Sequence, residues 1–541
     1  MRSFGTRGPV NPQENYVVSR AEETADFSNR VKEGRYIVLF APRQSGKTTF
    51  FQRALDVLPT ASTEIAGADA EPTYLPIRLN FEEYEDYSPA AFYASFYREI
   101  RKEIEVVFRK HGNTLAEPLN QFLENARITD HVEMREFFEH LASFLDNQKV
   151  VLIIDEFDGI PQAAVRGFLH SLRHIYLPGK PRCPHSIGII GVKSITQLSY
   201  DRSISPFNIQ DEFHLSNFTL TQVQELLTQY ADEIGQAFAP EVIESLHKQT
   251  AGQPFLVNRF AQILTDELDI PKTEPITMVH FAEAHARLLR ERNTNIDHLT
   301  TNIRKNRHFE KILMEIMTYE EGIRFNLHDE LISELATYGV IGEGSDGRCE
   351  ILNPIYLHHI MQAFTPAVNG LERDYFAEEN INGFLNYLTP AGQIEMEPLL
   401  DNFRDFIART GFRILQVPET PQEYVGRHLL LTYLDSFVQT VGGIMSFEVP
   451  TGRGKMDLLI THNQRKYIVE TKIWRGDARY QAGKKQLAAY LKLENVQEGY
   501  YVIFDHRKDP EPRVETDHFD SLTIRSYVIP VIQETPSHTL I

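Results

Sequence analysis

Residues 34–55 read GRYIVLFAPRQSGKTTFFQRAL. The apolar run from Tyr36 to Phe40 is short and suits a strand buried on both faces. Pro42 and Gly46 mark a turn, and the residues from Thr48 onward carry apolar side chains at helical spacing. Strand, tight loop and helix make one βα unit whose loop is built to hold an anion. Gly46 lets successive backbone N–H groups turn inward, Lys47 supplies a point charge, and Thr48 offers a hydroxyl at the helix N-terminus. Ala41 to Thr48 follow the P-loop spacing, with Ala41 where the first glycine usually stands. Arg43, Gln44, Ser45, Gly46, Lys47, Thr48 and Thr49 are therefore the expected nucleotide-binding residues, Thr48 also serving Mg2+.

Such a loop needs an acidic partner at the end of a neighbouring buried strand, and VVLIIDE at 150–156 provides one. Asp155 is placed to hold Mg2+, and Glu156 to orient and deprotonate an attacking water. A third strand, Ser186 to Val192, leads into Lys193 and Ser194. Lys193 either senses a γ-phosphate or faces solvent, and Arg202 either reaches a phosphate or is an ordinary surface arginine. A further strand-like run, Tyr74 to Leu79, and helical stretches at Ala90 to Lys110 and Met134 to Leu145 alternate with these strands. That alternation predicts a parallel sheet covered on both faces.

Leu220 to Leu289 keep helical periodicity and read as a lid. Between 308 and 364, two helices and a hairpin around EGSDGR suggest a winged helix, which either binds DNA or packs on its neighbours; few basic residues mark its second helix. TPAVNGLERD at 365–374 is the linker candidate. The expected division is a core at 1–219, a lid at 220–300, a winged helix at 301–365 and a second, smaller α/β domain at 366–541.

That last domain holds a second chemical pattern. GRGKMDLLI at 452–460 and YIVETK at 467–472 read as two strands joined by THNQRK. The hairpin brings Asp457 near Glu470, and period-two alternation sends Glu470 and Lys472 to one face. Two carboxylates bind Mg2+ or Mn2+ through oxygen, and an adjacent lysine activates water or stabilises a phosphorane-like transition state. Arg453, Lys455, Arg465, Lys466, Arg475, Arg479, Lys484 and Lys485 crowd the region, as a phosphate track or as a solvated face. Trp474 either stacks on a base or packs beneath the following helix.

Composition sets outer limits. With 541 residues, the chain holds roughly three to four folded units. Hydrophobic residues at 42% supply real cores, and a net charge of -20 repels polyanions except where basic groups or bound metal reverse the local field. Two cysteines, Cys183 and Cys349, fit a reducing compartment, and the 20 histidines show no zinc-ligand spacing. No apolar stretch suits a secretory signal or a membrane span, so a cytoplasmic location is expected.

The segments NYVVSR at 15–20, APRQSGKTT at 41–49, LIIDEFD at 152–158, SPFNI at 205–209 and AGQPFLVN at 251–258 resemble the AAA-like, STAND-related P-loop ATPases over residues 4–365. The resemblance implies that Gly252 and Pro254 of the lid pack near the nucleotide and that Tyr16 and Arg20 lie near its base. Asp457, Glu470 and Lys472 resemble the PD-(D/E)XK nucleases, whose core runs helix, three strands, helix, strand. By that likeness Glu423 adds a metal ligand, Gln486 orients the catalytic groups and Tyr490 supports its helix; Met456 stands where that family's name has Pro.

The resulting fold class is α/β: a P-loop NTPase parallel sheet with helical lid and winged helix, followed by a restriction-endonuclease-like domain. The expected function is ATP binding and hydrolysis controlling a metal-dependent nuclease on DNA or RNA, DNA being favoured, with homo-oligomerisation as a means of closure. Such fusions resemble prokaryotic defence or mobile-element proteins. A nucleotide-switched scaffold that binds DNA or protein without cutting, and an ATP-driven remodeller, are the alternatives.

Overall fold

A computed structural model of the protein describes residues 2–59, 73–110, 114–145, 148–177, 182–192, 209–304, 306–318, 322–363, 385–410, 422–451, 454–507 and 509–531. Lys193, Ser194, Arg202, Ser205 to Asn208, the linker candidate at 365–374 and Arg453 lie outside the described residues, as do the side chains of Glu423 and Lys455.

The chain forms two compact units. The first comprises Met1–Tyr230, Gly252–Asn258 and Ala336–Gly339; the second comprises Ala231–Ala251, Arg259–Leu335 and Val340–Ile541. Most of the lid and winged-helix segments thus share a unit with the C-terminal domain, while residues 220–230, Gly252–Asn258 and Ala336–Gly339 belong to the first.

In the first unit, β1 (Tyr36–Phe40), β2 (Thr73–Asn80), β3 (Gln148–Asp155), β4 (Ser186–Gly191) and β5 (Gln210–Glu212) form a sheet in the order β2-β3-β4-β1-β5. Every pairing is parallel. All six residues of β4 are buried, and β3 is buried from Val150 to Ile154, as strands covered on both faces must be. On one side Phe81, Phe92, Phe96 and Phe168 interlock with Leu152 and Ile154; on the other, Phe27, Phe50, Phe51 and Phe213 pack with Ile37, Leu39 and Ile153. This two-sided packing holds the C-terminal ends of β1 and β3 side by side, across the intervening β4.

The second unit contains helices Pro240–Thr250 and Met278–Arg290 of the lid segment, a small hairpin of β6 (Ile341–Glu343) and β7 (Cys349–Ile351), and a six-stranded sheet. The strand-like reading of CEILNPIY stops at Ile351: Pro354 opens a helix, Pro354–Ala363, in which Ile355 to Met361 are all buried. Proline suits the first helical turn because its missing N–H is one of the orphan donors there.

The large sheet joins β8 (Ile444–Thr451), β9 (Gly454–His462), β10 (Arg465–Ile473), β11 (Glu498–Asp505), β12 (Arg513–Phe519) and β13 (Leu522–Pro530) in the order β12-β13-β11-β10-β9-β8. β8, β9 and β10 are antiparallel, whereas β10–β11 and β11–β13 are parallel. Helix Gln422–Thr440 precedes β8 and helix Asp477–Leu493 crosses from β10 to β11, so the order is helix, three strands, helix, strand. Asn463 and Gln464, both with positive φ, close the β9–β10 turn.

Candidate functional site

The first pocket is assembled where β1 and β3 end. Gln44 and Gly46 adopt left-handed backbone with φ of 61° and 83°, curling the loop before helix Lys47–Asp56 begins. Ser45 Oγ donates to the Pro42 carbonyl over 2.9 Å and closes the turn. Lys47 lies buried beneath the loop, its ammonium donating to the carbonyls of Ala41 and Pro42 at 2.7 and 2.6 Å. The ammonium is thus curled onto its own loop, and a polyphosphate would compete with these neutral acceptors for it. Burial pushes Lys47 down to about 8, against the attraction of Glu156, Asp155 and Asp158.

Thr48 Oγ1 donates to Asp155 Oδ2 over 2.7 Å, which brings the two expected Mg2+ ligands together. Asp155 Oδ1 accepts from the Glu156 N–H at 3.0 Å. Glu156 itself is left-handed, with φ of 49°, a conformation that costs a non-glycine residue about 1 kcal/mol or more. Burial raises its carboxyl above the usual range, although Lys47 pulls the other way. Asp158 accepts from the Val192 N–H over 2.6 Å and ties β4 to the same corner. Arg43 is exposed, and Thr49 Oγ1 accepts from the Val10 N–H at 3.2 Å.

The turn at Gly252 caps this pocket. Gly252 has φ of +68°, and a Cβ there would fall 1.8 Å from the Phe218 carbonyl, so no other residue fits. Gln253 donates to the Gln44 carbonyl over 3.2 Å and accepts from the Leu256 N–H over 2.7 Å, linking the turn to the P-loop. A Cβ on Gly46 would stand 4.0 Å from the Pro254 ring. Sequence reasoning named Gly252 and Pro254 and passed over Gln253, whose role rests on a long-range contact. Tyr16 is buried among Phe4 and Tyr230. Arg20 lies over the Phe218 ring at 4.8 Å and pairs with Glu23 at 3.2 Å, while its buried Nη2 takes no hydrogen bond among the described residues.

The second site lies on β9 and β10. Val469 pairs with Leu458, which sets Glu470 beside Asp457 across the ladder. Glu470 is fully buried; its Oε2 accepts from the Asp457 N–H at 3.3 Å and its Oε1 lies 3.0 Å from Lys472 Nζ. The Lys472 ammonium is thus the charge that faces Oε1. Asp457 Oδ2 accepts from the Thr471 N–H and hydroxyl at 2.7 and 2.8 Å. Burial opposes ionisation of Asp457, yet Arg427, Lys472 and the Thr471 hydrogen bonds outweigh it and hold the carboxyl low. Glu470 moves the other way, raised by burial and by the neighbouring Asp457.

Gln486 donates to the Tyr490 hydroxyl over 2.7 Å, one turn along helix Asp477–Leu493. Tyr490 is buried and feels the charges of Glu470, Lys472 and Asp457. Trp474 packs against Tyr480 and lies under Arg507 and Arg513 at 4.7 and 5.2 Å. Lys484 is buried and bound to Glu515 and Asp517, so it does not belong to a phosphate track. Among the described residues no group of three or more His, Cys, Asp and Glu could hold a metal, and no helix is long and apolar enough to cross a membrane.

Known proteins resemble parts of the chain. Residues 394–508 match a family described as a domain of unknown function (DUF8371). An uncharacterized WD repeat-containing protein of Synechocystis is 22% identical over 264 residues, and the chain spans about a fifth of that relative's length, the match covering 46% of the chain and 20% of the relative. Among solved structures, a Walker-type ATPase of Pyrococcus abyssi aligns with TM-score 0.45 and 15% identity, over 66% of this chain and 99% of the other. The Drosophila ORC bound to DNA aligns with TM-score 0.31 and 14% identity, over 66% and 88%. A RuvB variant of Thermotoga maritima aligns with TM-score 0.31 and 12% identity, over 65% and 97%. Residues 6–361, most of the chain and the whole of the first pocket, match the family described as AAA-like domain, and to that family of P-loop proteins the chain belongs.

Proposed function

We propose that the chain is an ATP-hydrolysing switch whose C-terminal module is a metal-dependent nuclease, cutting nucleic acid, with DNA favoured. The observation that carries the nuclease reading is the trio Asp457, Glu470 and Lys472, brought within contact distance on two adjoining strands. The order helix, three strands, helix, strand around it resembles the PD-(D/E)XK core.

In the first pocket the residues fit a nucleotide and Mg2+: Thr48 and Asp155 already meet, and Lys47 has only neutral carbonyls to leave. Glu156 would accept the proton of the attacking water, its raised carboxyl making it a stronger base than an ordinary carboxylate. Arg20 keeps a buried donor available for the base or ribose, and Tyr16 anchors its segment. Gln253 would report the state of the loop to the lid.

In the second site Asp457 and Glu470 would hold Mg2+ or Mn2+, with Glu423 as an additional ligand. When bound, the metal lowers the pKa of water and neutralises charge on a phosphodiester. Lys472 would orient the nucleophile beside Glu470, and Gln486, steadied by Tyr490, would line the entrance. DNA contact through the winged-helix segment is not favoured: its second helix, Glu330–Thr337, carries Glu330 and Glu334 and no lysine or arginine.

The divisions at 1–219, 220–300, 301–365 and 366–541, and a homo-oligomer that closes on ATP, belong to the same reading. Cleavage of single- and double-stranded DNA and RNA, with and without ATP, Mg2+ and Mn2+, tests it. Cutting that disappears in Asp457→Ala and Lys472→Ala, with the fold retained, is the expected result. Nucleotide-dependent binding by an inert wild type would replace the nuclease with a scaffold. Duplex-stimulated turnover and movement without cutting would replace it with a remodeller.

A further inference from the structure

Arg427 sits where helix Gln422–Thr440 passes β11, at a distance set by its neighbour. A Cβ on Gly426 would meet the Phe504 ring at 2.7 Å, so glycine is what lets the helix lie this close. From there the guanidinium reaches two ways. One nitrogen donates to the carbonyl of Met317, in the last turn of helix Arg307–Thr318. Carbonyls in a helix's last turn lack intrahelical donors, and an arginine is a natural partner for one. Another nitrogen lies 3.6 Å from Asp457 Oδ1.

The opposite oxygen of Asp457 is taken by Thr471. Oδ1 is therefore the oxygen left for a metal, and a fixed arginine already faces it. The two side chains are only 16% and 14% exposed, so their charges meet with little screening. A divalent cation bound at Oδ1 would stand against the guanidinium at close range, and like charges in such a setting do not share a carboxylate oxygen cheaply.

We propose that Arg427 is a charge latch: it fills the cation position at Asp457 while helix Arg307–Thr318 holds it through the Met317 carbonyl, and metal loads as the latch withdraws. The inference rests on the metal-site reading of Asp457 and Glu470, and adds the residue and the helix that regulate its loading. By linkage the two contacts oppose each other. A displacement of the helix that frees Arg427 raises metal affinity, and metal binding loosens the helix end by the same factor.

Mn2+ titration followed by electron paramagnetic resonance tests the latch on the full chain carrying Asp155→Asn, without nucleotide, so that the first pocket stays silent. Arg427→Gln should bind Mn2+ about ten-fold more tightly than this parent, a coupling of ordinary size. Arg427→Lys should stay near the parent, and Asp457→Asn should abolish binding. Hydrogen exchange adds a readout that a merely structural arginine would not move: Mn2+ should speed exchange at the end of helix Arg307–Thr318 in the parent and not in Arg427→Gln. Equal or weaker affinity in Arg427→Gln, with binding still dependent on Asp457, overturns the latch and leaves the metal site standing. Absence of Asp457-dependent Mn2+ binding overturns both. If Arg427→Gln fails to fold, exchange in the parent decides alone, and an unresponsive helix end overturns the latch.

Discussion

The Thr48 hydroxyl donates to Asp155 Oδ2 over 2.7 Å, joining the start of one helix to the end of a strand 107 positions away. This hydrogen bond ties the phosphate loop to the acidic strand before any ligand arrives. It also fixes which face of Asp155 looks into the pocket. Asp155→Asn keeps the size of the side chain and removes its charge. Nucleotide binding in Mg2+ should weaken by roughly ten-fold or more, a loss of about 1.5 kcal/mol or more in charge-assisted contacts. Fluorescent-ATP titration with and without Mg2+ checks this. An equal affinity for wild type and variant in Mg2+ would remove Asp155 from the metal's surroundings.

Glu156 should separate binding from turnover. It follows Asp155 directly at the end of β3, in left-handed backbone, and its carboxyl feels the Lys47 ammonium. Glu156→Gln should retain ATP and lose phosphate release by roughly 10²- to 10⁴-fold, the usual range for a positioned base. Single-turnover phosphate release measures it directly, and a variant that turns over at the wild-type rate would assign the water to another group.

Gly252 is a position where added bulk must break something. An alanine there meets the Phe218 carbonyl and a positive φ together. Gly252→Ala should therefore destabilise the first unit by about 2 kcal/mol or more and pull Gln253 off the Gln44 carbonyl. Thermal melting and hydrogen exchange at the P-loop should change together; a melt at the wild-type temperature would show that the turn is free to relax.

The strand, loop and helix around Lys47 were legible because their signals are contiguous: an apolar run, a glycine-marked turn and a helix start lie within about twenty residues. Asp155 was legible for the same reason. The Asp457–Glu470–Lys472 cluster could be read because one short turn and period-two alternation suffice to place it. Where the reading failed, the information was not local. β12 went unseen because three of its four inward residues, Arg513, Glu515 and Asp517, are charged, two of them paired with the buried Lys484, and only Phe519 is apolar. Helix Pro354–Ala363 hid behind an apolar run that fits either structure until packing decides. Gln253 and Arg427 carry no pattern at all, since each is defined by a partner remote in sequence.

Glu470 sets the ligand role proposed for it against stability. Burial and the neighbouring Asp457 raise its pKa, so the fold favours the neutral acid. A raised folded-state value contributes stability at low pH that is lost as pH rises through it. At pH 8 the ionised Glu470 is therefore a burden that Glu470→Gln removes. The variant should melt higher than wild type at pH 8 and lose that advantage at pH 5, and on the proposed metal-site reading it should bind Mn2+ there more weakly than wild type. A lower melting temperature at pH 8 would mean that the Lys472 ion pair outweighs the burial and the repulsion.

Acid should weaken the second unit through its buried histidines. Burial lowers His285 to about 3 and His358 and His359 to about 4, with His358 adding to the shift of each of the other two. Above about pH 6.5 these groups are neutral in both folded and unfolded chains and contribute nothing to the slope. Below it the unfolded chain takes up protons that the folded one refuses, and stability falls by roughly 1.4 kcal/mol per pH unit for each histidine until its folded value is reached. Asp435 opposes them. Burial raises it to about 6, so between there and the ordinary aspartate range the folded chain is the one that takes the proton. It stands 3.6 Å from His358 Nδ1 and accepts from Gln439 at 2.7 Å, a neutral histidine beside a carboxyl and not a closed ion pair. His506, lowered by burial to about 4, and His462, lowered by burial, join the three histidines, while Glu470, raised by burial and by Asp457, joins Asp435. Five groups against two leave a net loss between pH 6 and 4, so the calorimetric transition containing this unit should move down in temperature across that window. His358→Phe should flatten the slope by close to one proton; an unchanged slope would place His358 in contact with solvent and outside the group of buried bases.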